Sequence, residues 1–420
     1  MGFKQAMSLF IRNAAEVVCI SRTRDRYKTG SRLADPEVIQ QAGIGIDDGR
    51  IAWVGPMALA PDSVRGATVI DAAGKTVIPG LVDSHTHLVF AGSRELEFEA
   101  RLQGKTYQEI AAAGGGIQAT VKSVRQAGPE ELKEYARRRL RELLSFGATT
   151  IEVKSGYGLS LQDELKCLRV IAELDREGPW ELVPTFLGAH AVPAEYASDR
   201  AAYVRQLTRE MLPEVARLGL AEYCDVFCEA GVFSLDESEL ILTKARELGM
   251  GLRVHADELT RLGGAELAAR LGTASADHLL QISARGIEAL AEAGTVATLL
   301  PGTAFFLGEP YAPARRLIEQ GAIVALASDC NPGTCPTENL LILGTIACTQ
   351  MKMLPAEVLA AFTLNAARSL GREDRIGSIE TGKQADLVIC DVPSYRHLFY
   401  HFGVNHVWRV IKRGRVVHAA

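Results

Sequence analysis

From about residue 77 to residue 370, short runs of apolar residues alternate with longer stretches in which apolar positions recur every three or four residues. The first texture suits strands buried on both faces and the second suits amphipathic helices, so the alternation predicts repeated βα units around a parallel sheet. Strands are expected at 77–83, 148–153, 182–187, 222–228, 251–255, 273–277, 295–300 and 323–328. Helices are expected at 130–145, 161–177, 201–218, 235–248, 259–271, 283–293, 312–320 and 355–369. Strands each answered by a helix in this number predict an α/β fold, a closed TIM-like (β/α)8 barrel, in preference to an open doubly wound sheet. Residues 92–128, with GGG at 114–116, become a long excursion above the first strand.

The flanks have another rhythm. Residues 8–20, 43–54 and 66–71 are short β-like pieces separated by Gly and Asp turns, and the same texture returns at 376–392 and 405–418. A small β domain built from both termini (1–74 and 376–420), interrupted by a barrel (75–375), is the expected organisation.

Composition narrows the function classes. With 47% hydrophobic and 23% charged residues among 420, the chain has the makeup of a globular protein with a large core. A formal charge of −5 gives no electrostatic reason to bind nucleic acid or anionic lipid. Its eight cysteines show no CxxC spacing, so a reducing compartment is expected, and Cys224/Cys228 and Cys330/Cys335 are read as packing residues. Arg12, Asn13 and Glu16 interrupt the first apolar stretch, which argues against a secretory signal or membrane span there. Met1-Gly2 lacks the Ser or Thr of a myristoylation start, since position 6 is Ala. A cytoplasmic enzyme follows.

The polar residues fall where a barrel gathers its catalytic groups. His85 and His87 follow VIPGLVDS two positions apart, so an extended chain turns both imidazoles to one side. His255, His278 and Asp329 close the fifth, sixth and eighth predicted strands. Strand C-termini converge on one mouth, and five buried polar groups there would be expensive without a common purpose. Three imidazoles and a carboxylate suit one borderline divalent ion, zinc or ferrous iron, with a position left for water. His85, His87, His255 and Asp329 are the expected ligands, and His278 stands behind them. Glu258, three residues past His255, can face the same mouth as a proton carrier or hydrogen-bond partner. Glu229 after the fourth strand and Lys154 after the second are the places from which a second ion could be bridged, and one ion is the expected count.

Arg94, in the loop above the first strand, and Tyr157, in KSGYGL, make a pair suited to a carboxylate. His190 after the third strand, with Asn331, Gly333 and Thr334 in DCNPGTCP, could complete a polar cavity. Cys330, directly after Asp329, is read as a spacer, because a metal-bound water already supplies a nucleophile.

VIPGLVDSHTH and IGSIETGKQADLVI resemble the amidohydrolase superfamily, whose members join a metal-bearing barrel to a small β domain. More narrowly, GKTYQEIAAAGGGIQAT (104–120), VKSGYGL, TFLGAHAVP, YCDVFCEAGVFS, HADE, SADHL and SDCNPGTCP resemble the imidazolonepropionase family over roughly residues 75–390. The resemblance implies the same four ligands and substrate contacts at Arg94, Tyr157, His190, Glu258, Asn331, Gly333 and Thr334. It puts His278 beside the attacked carbonyl, and it implies a homodimer. Asp329, His278 and Glu258 are then the candidates for proton transfer. The implied reaction is opening of 4-imidazolone-5-propanoate, a small molecule with a carboxylate tail, to N-formimidoyl-L-glutamate in histidine degradation. A related deaminase of a purine, pyrimidine or similar ring shares the HxH, HxxE and strand-eight aspartate and is the nearest alternative, with a non-catalytic metal-dependent binding protein a remote one.

Overall fold

The computed structural model describes residues 7–105, 109 and 114–420. The motif spanning 104–120 therefore lies partly outside the described residues, as does the Met1-Gly2 start. Five strands come first: β1 (Leu9–Val18), β2 (Val38–Asp47), β3 (Arg50–Pro56), β4 (Thr68–Asp71) and β5 (Thr76–Pro79). The barrel strands follow: β6 (Leu81–Asp83), β7 (Ala148–Lys154), β8 (Glu181–Ala189), β9 (Tyr223–Cys228), β10 (Gly251–Ala256), β11 (Ser275–His278), β12 (Val296–Leu299) and β13 (Val324–Leu326). The last three are β14 (Leu387–Cys390), β15 (Val407–Lys412) and β16 (Arg415–Ala419).

Strands β6 to β13 pair in sequence order, every pair parallel, as an eight-stranded near-closed barrel. The barrel strands are buried on both faces, which explains their unbroken apolar runs. The seam closes just beyond the ends of β6 and β13, where Asp329 N donates to His85 O and His87 N donates to Cys330 O, each at 3.0 Å. A mixed sheet runs β16-β15-β14-β5-β1-β2-β3, with β4 beside β1, so strands from both ends of the chain share it. Its inner face holds a separate core that includes Ile11, Val17, Ile44, Ile46, Leu387 and Ile411.

The structure departs from the expected elements where local chemistry overrides periodicity. The run 77–83 is not one strand. It divides at Gly80, with β5 in the mixed sheet between β14 and β1 and β6 in the barrel. A Cβ at Gly80 would run into the Thr149 side chain, so the crossing point needs glycine. The helix expected at 259–271 begins only at Gly264, because the Asp257 carboxylate accepts from the backbone N–H groups of Gly263, Gly264 and Ala265 at 2.8, 3.1 and 3.0 Å. Residues 258–263 are freed to cover the mouth. The helix over 201–218 contains a π turn at Leu207–Met211, where Pro213 cannot supply an intrahelical N–H. Helix Leu340–Gln350 escaped prediction because it is apolar almost all round and shows no stripe.

Candidate active site

The end of the first barrel strand is held rigidly before any chemistry begins. Asp83 accepts from Ser328 N at 2.9 Å and from Ser328 Oγ at 2.5 Å, which ties the end of β6 to the end of β13. His85 and His87 project just beyond that tie, and Asp329 just beyond its partner. His278 and Asp329 have φ of +79° and +56°, a conformation that costs a non-glycine residue energy and persists where function requires a particular side-chain aim.

His85, His87 and His255 present ligand atoms within 4.8 Å of one another, and so do His85, His278 and Asp329. His85 Nε2 and His87 Nε2 each lie 3.5 Å from Asp329 Oδ1. His87 Nε2 and His255 Nε2 face each other at 3.3 Å, where two neutral rings can share only one proton. His85 Nε2 and Asp329 Oδ1 are buried and have no hydrogen-bond partner among the described residues. Buried polar atoms aimed at one point without partners are costly, and a cation at that point satisfies all of them. Burial, helped by neighbouring cationic groups, holds His85, His87 and His278 well below the usual imidazole range, in the neutral form that coordinates metal. The cluster is a site for one divalent metal.

Behind the imidazoles lies a layer of buried charge. His85 Nδ1 donates to Asp277 Oδ2 at 2.7 Å, which fixes the tautomer and leaves Nε2 as the lone pair aimed at the mouth. His255 Nδ1 stands 3.1 Å from Asp225 Oδ2. Lys154 Nζ donates to both Asp225 and Glu152 at 2.8 Å and lies 3.9 Å from Asp277. Arg253 donates to Ser84 O at 2.8 Å and Ser369 O at 2.9 Å, with Nη2 3.5 Å from Asp277. Burial opposes ionisation of Asp225, but His255 and Lys154 outweigh it and hold this carboxyl well below its usual range. None of Asp225, Asp277, Glu152 or Arg253 was singled out from sequence. The available signal was a charged residue inside an otherwise apolar strand, as in IEVK, YCDVFC and GLRVHA.

Lys154 and Glu229, the two places from which a second ion could have been bridged, are both fully engaged. Lys154 is locked between carboxylates. Glu229 accepts from Ala230 N and Leu259 N at 2.9 and 2.8 Å and from the Thr260 hydroxyl, so it braces the 258–260 turn and does not face the ion position.

The remaining predicted residues surround the cluster. Glu258 is buried with Oε1 3.5 Å from His278 Nδ1, and burial together with Asp329 and Glu229 raises its carboxyl well above the ordinary range. His190 stacks on His87 with ring centroids 4.8 Å apart and 17° between planes, and Nδ1 bonds to Gly156 O at 3.0 Å. The Tyr157 ring lies 5.8 Å from His87 and 5.3 Å from His190. Asn331 organises its own loop: Oδ1 accepts from Gly333 N and Thr334 N at 2.8 Å, and Nδ2 donates to Asp329 O at 2.7 Å. Thr303, missed from sequence, donates to Asp329 Oδ2 at 2.6 Å. Burial pushes the Asp329 carboxyl up to about 6, with the Thr303 bond opposing it. Arg94 rests against Gly333, where any Cβ would collide with Nη1, while its Nε and Nη2 donate to Glu97 at 2.9 and 2.7 Å. Glu97 was also not foreseen. All eight cysteines are free, and burial lifts the Cys330 thiol far above its ordinary pKa, which suits a spacer.

Residues 76–417 match the model of the amidohydrolase family. The chain is 50% identical over 413 residues to an imidazolonepropionase of Geobacillus sp. (strain WCH70), with 97% of each chain covered. It is 52% identical over 420 residues to the imidazolonepropionase of Symbiobacterium thermophilum, covering 98% of this chain and 97% of the relative. The chain belongs to the imidazolonepropionase family. More distant solved structures share its fold. A zinc-bound adenosine deaminase from Xanthomonas campestris superposes with a TM-score of 0.69 at 20% identity over 98% of this chain and 93% of its own. Guanine deaminase from E. coli gives 0.71 at 16% identity over 98% and 99%. Membership makes the chain an amidohydrolase enzyme. Among its described residues no helix is long and apolar enough to cross a membrane.

Proposed function

We propose that the protein hydrolyses 4-imidazolone-5-propanoate to N-formimidoyl-L-glutamate with one zinc or ferrous ion held by His85, His87, His255 and Asp329. The observation that carries the reading is a cation, Arg94, seated on the same 329–334 loop that presents Asp329 to the cluster. A ring deaminase needs no such handle, whereas a substrate with a propanoate tail does. A divalent ion held by these residues would supply Lewis acidity for activating water and polarising the ring carbonyl.

The chain's own groups then divide the work. Arg94 and Tyr157 receive the tail carboxylate, and its placement orients the ring before chemistry. Asn331 fixes the turn at Gly333 so that the guanidinium can approach, and Thr334 borders the same cavity. His190, packed flat on His87, walls the ring pocket. Asp329 accepts the proton of the attacking water, with Thr303 anchoring its other oxygen. His278 donates toward the oxygen on which negative charge develops. Glu258, whose buried carboxyl is held well above its ordinary range, hydrogen-bonds a ring nitrogen, and the Asp329 proton passes to the departing nitrogen as the C–N bond breaks. The protein is proposed to act as a cytoplasmic homodimer, which sedimentation would check.

The test is turnover of 4-imidazolone-5-propanoate by protein of measured metal content, following loss of substrate and appearance of N-formimidoyl-L-glutamate. Formation of that product supports the reading. Metal-loaded protein that leaves the substrate untouched overturns it, and ammonia release from a purine or pyrimidine ring would transfer the site to the deaminases. Rebuilding activity in metal-free protein with zinc alone or iron alone decides between the two ions.

A further inference from the structure

The connector between β14 and β15 carries chemistry that the barrel mouth does not use. It contains a single helical turn, His397–Tyr400, followed by His401, and ends at His406 just before β15. The three rings converge: centroids are 5.3 Å apart for His397 and His401, 5.6 Å for His397 and His406, and 5.1 Å for His401 and His406. Each offers a ring nitrogen within 4.8 Å of the others. His406 is buried, His397 half-buried and His401 exposed, so the cluster opens to solvent on one side.

The orientation of His406 is fixed in the manner expected of a ligand. Its Nε2 donates to His401 O at 3.0 Å, which leaves the Nδ1 lone pair for a cation. No ring nitrogen of His397 or His401 has a hydrogen-bond partner among the described residues, so neither ring is committed to a structural role that metal binding would break. The backbone around the cluster is firmly held. Thr345 Oγ1 donates to Phe399 O at 3.0 Å, Asn405 Nδ2 donates to Ser145 O at 3.0 Å, and Asp391 N donates to His406 O at 2.8 Å. Ser145 ends the helix that leads into β7, which places the cluster on the side of the barrel where strands begin, opposite the mouth. A bound ion there could not touch the substrate.

We propose that His397, His401 and His406 form a second metal site, which takes a borderline transition ion of the zinc class through three imidazole nitrogens and leaves a fourth position to water. Imidazole-only donors favour zinc, cobalt, nickel and copper and discriminate against magnesium and calcium. The ion would clasp the helical turn to the start of β15, and so would fasten the C-terminal strands where the connector rests on the barrel.

The experiment is equilibrium dialysis of the full-length protein against micromolar free zinc, with ions per chain counted by elemental analysis. Wild type should retain two ions, one in the mouth and one here. His401→Ala and His397→Gln should each retain one and turn over substrate as wild type does. A His85→Ala, His87→Ala protein should keep the connector ion, so failure of the mouth assignment and failure of this one are separable. With cobalt in place of zinc, the absorption bands of the connector ion should survive in that double variant and vanish in His401→Ala. A wild type that binds only the mouth ion overturns the proposal, as does retention of both ions by His401→Ala and His397→Gln.

Discussion

Two buried polar centres in this molecule are built to opposite rules. Where the barrel meets the mixed sheet, Glu181 receives Arg375 at 2.7 Å and Arg372 at 3.3 Å and faces Lys412 at 3.6 Å, while Lys412 donates to Asp386 at 2.8 Å. Each charge there faces an opposite one, even though Glu181 Oε2 accepts no hydrogen bond among the described residues and meets Lys412 and Arg413 only at 3.6 and 3.5 Å. In the mouth, His85 Nε2 and Asp329 Oδ1 are buried with no hydrogen-bond partner among the described residues, and two imidazole nitrogens confront each other. A closed set of pairs holds two sheets in register, whereas an open set reserves a place for something the chain does not supply. Balance of unlike charges, more than burial or a full count of hydrogen bonds, separates scaffold from site.

The sharpest way to break this comparison is to remove the open carboxylate. Asp329→Ala should reduce kcat by at least about a thousandfold if, as proposed, Asp329 is both a ligand and the proton acceptor. The stability of the variant without added metal, measured by thermal unfolding, should fall by only about 1 kcal/mol, since the close hydrogen bond lost is that from Thr303 to Oδ2, while Oδ1 makes none among the described residues. Near-normal turnover, or a collapse of the metal-free protein, would place Asp329 with the scaffold.

Lys154→Met tests the boundary between the two kinds of centre. This ammonium is paired with carboxylates on every side, and among them are the ones that aim His85 and His255. Leaving Asp225 and Glu152 without their cation should cost about 3–5 kcal/mol of stability in denaturant titration. Metal affinity, measured by competition with a chelator, should fall about 10- to 100-fold. Unchanged metal affinity in folded variant protein would show that the imidazoles aim themselves.

These two residues also mark what could be read from the sequence and what could not. Asp329 was legible because an apolar run that stops at a carboxylate is a local pattern, and the same holds for His85, His87, His255 and His278. Eight parallel strands were legible for the same reason. Lys154 was seen only as a possible bridge, and Asp225 and Asp277 were not seen, because their meaning depends on neighbours 71 positions away for Lys154 and 192 for His85. Glu97 and Thr303 were hidden likewise: nothing beside them in sequence distinguishes a residue that grips Arg94 or Asp329 from a surface polar one. The split of 77–83 at Gly80 was invisible because both halves are apolar and only their pairing partners differ.

The closed centre makes its own prediction with pH. Arg375, Arg372 and Lys412 overcome the burial that opposes ionisation and hold Glu181 down at about 2, against 4.5 for the free group. Its folded pKa is depressed, so its stabilisation is complete above the unfolded value and disappears as pH falls from about 4.5 toward 2. A shift of this size corresponds to roughly 3 kcal/mol. Denaturant midpoints at pH 6 and pH 3 should therefore differ less for Glu181→Gln than for wild type. Equal pH dependence in the two proteins would remove Glu181 from the set that fastens the sheets.

Arg94 is the intermediate case, and its loss should have the smallest effect of the four. Two of its N–H groups are taken by Glu97, but Nη1 lies over Gly333 at the loop that carries Asp329. A half-answered cation can receive a substrate carboxylate without the desolvation cost of a bare one, because Glu97 keeps it oriented while the third face stays free. Arg94→Ala should raise KM about 10- to 100-fold with kcat much less affected, since the tail carboxylate is bound alike in ground and transition states. Arg94→Lys should recover only part of the loss, because an ammonium cannot hold Glu97 through two N–H groups and present a third. If kcat fell and KM did not, Arg94 would be acting on the reacting ring, and the mouth would contain one open centre extending to the guanidinium.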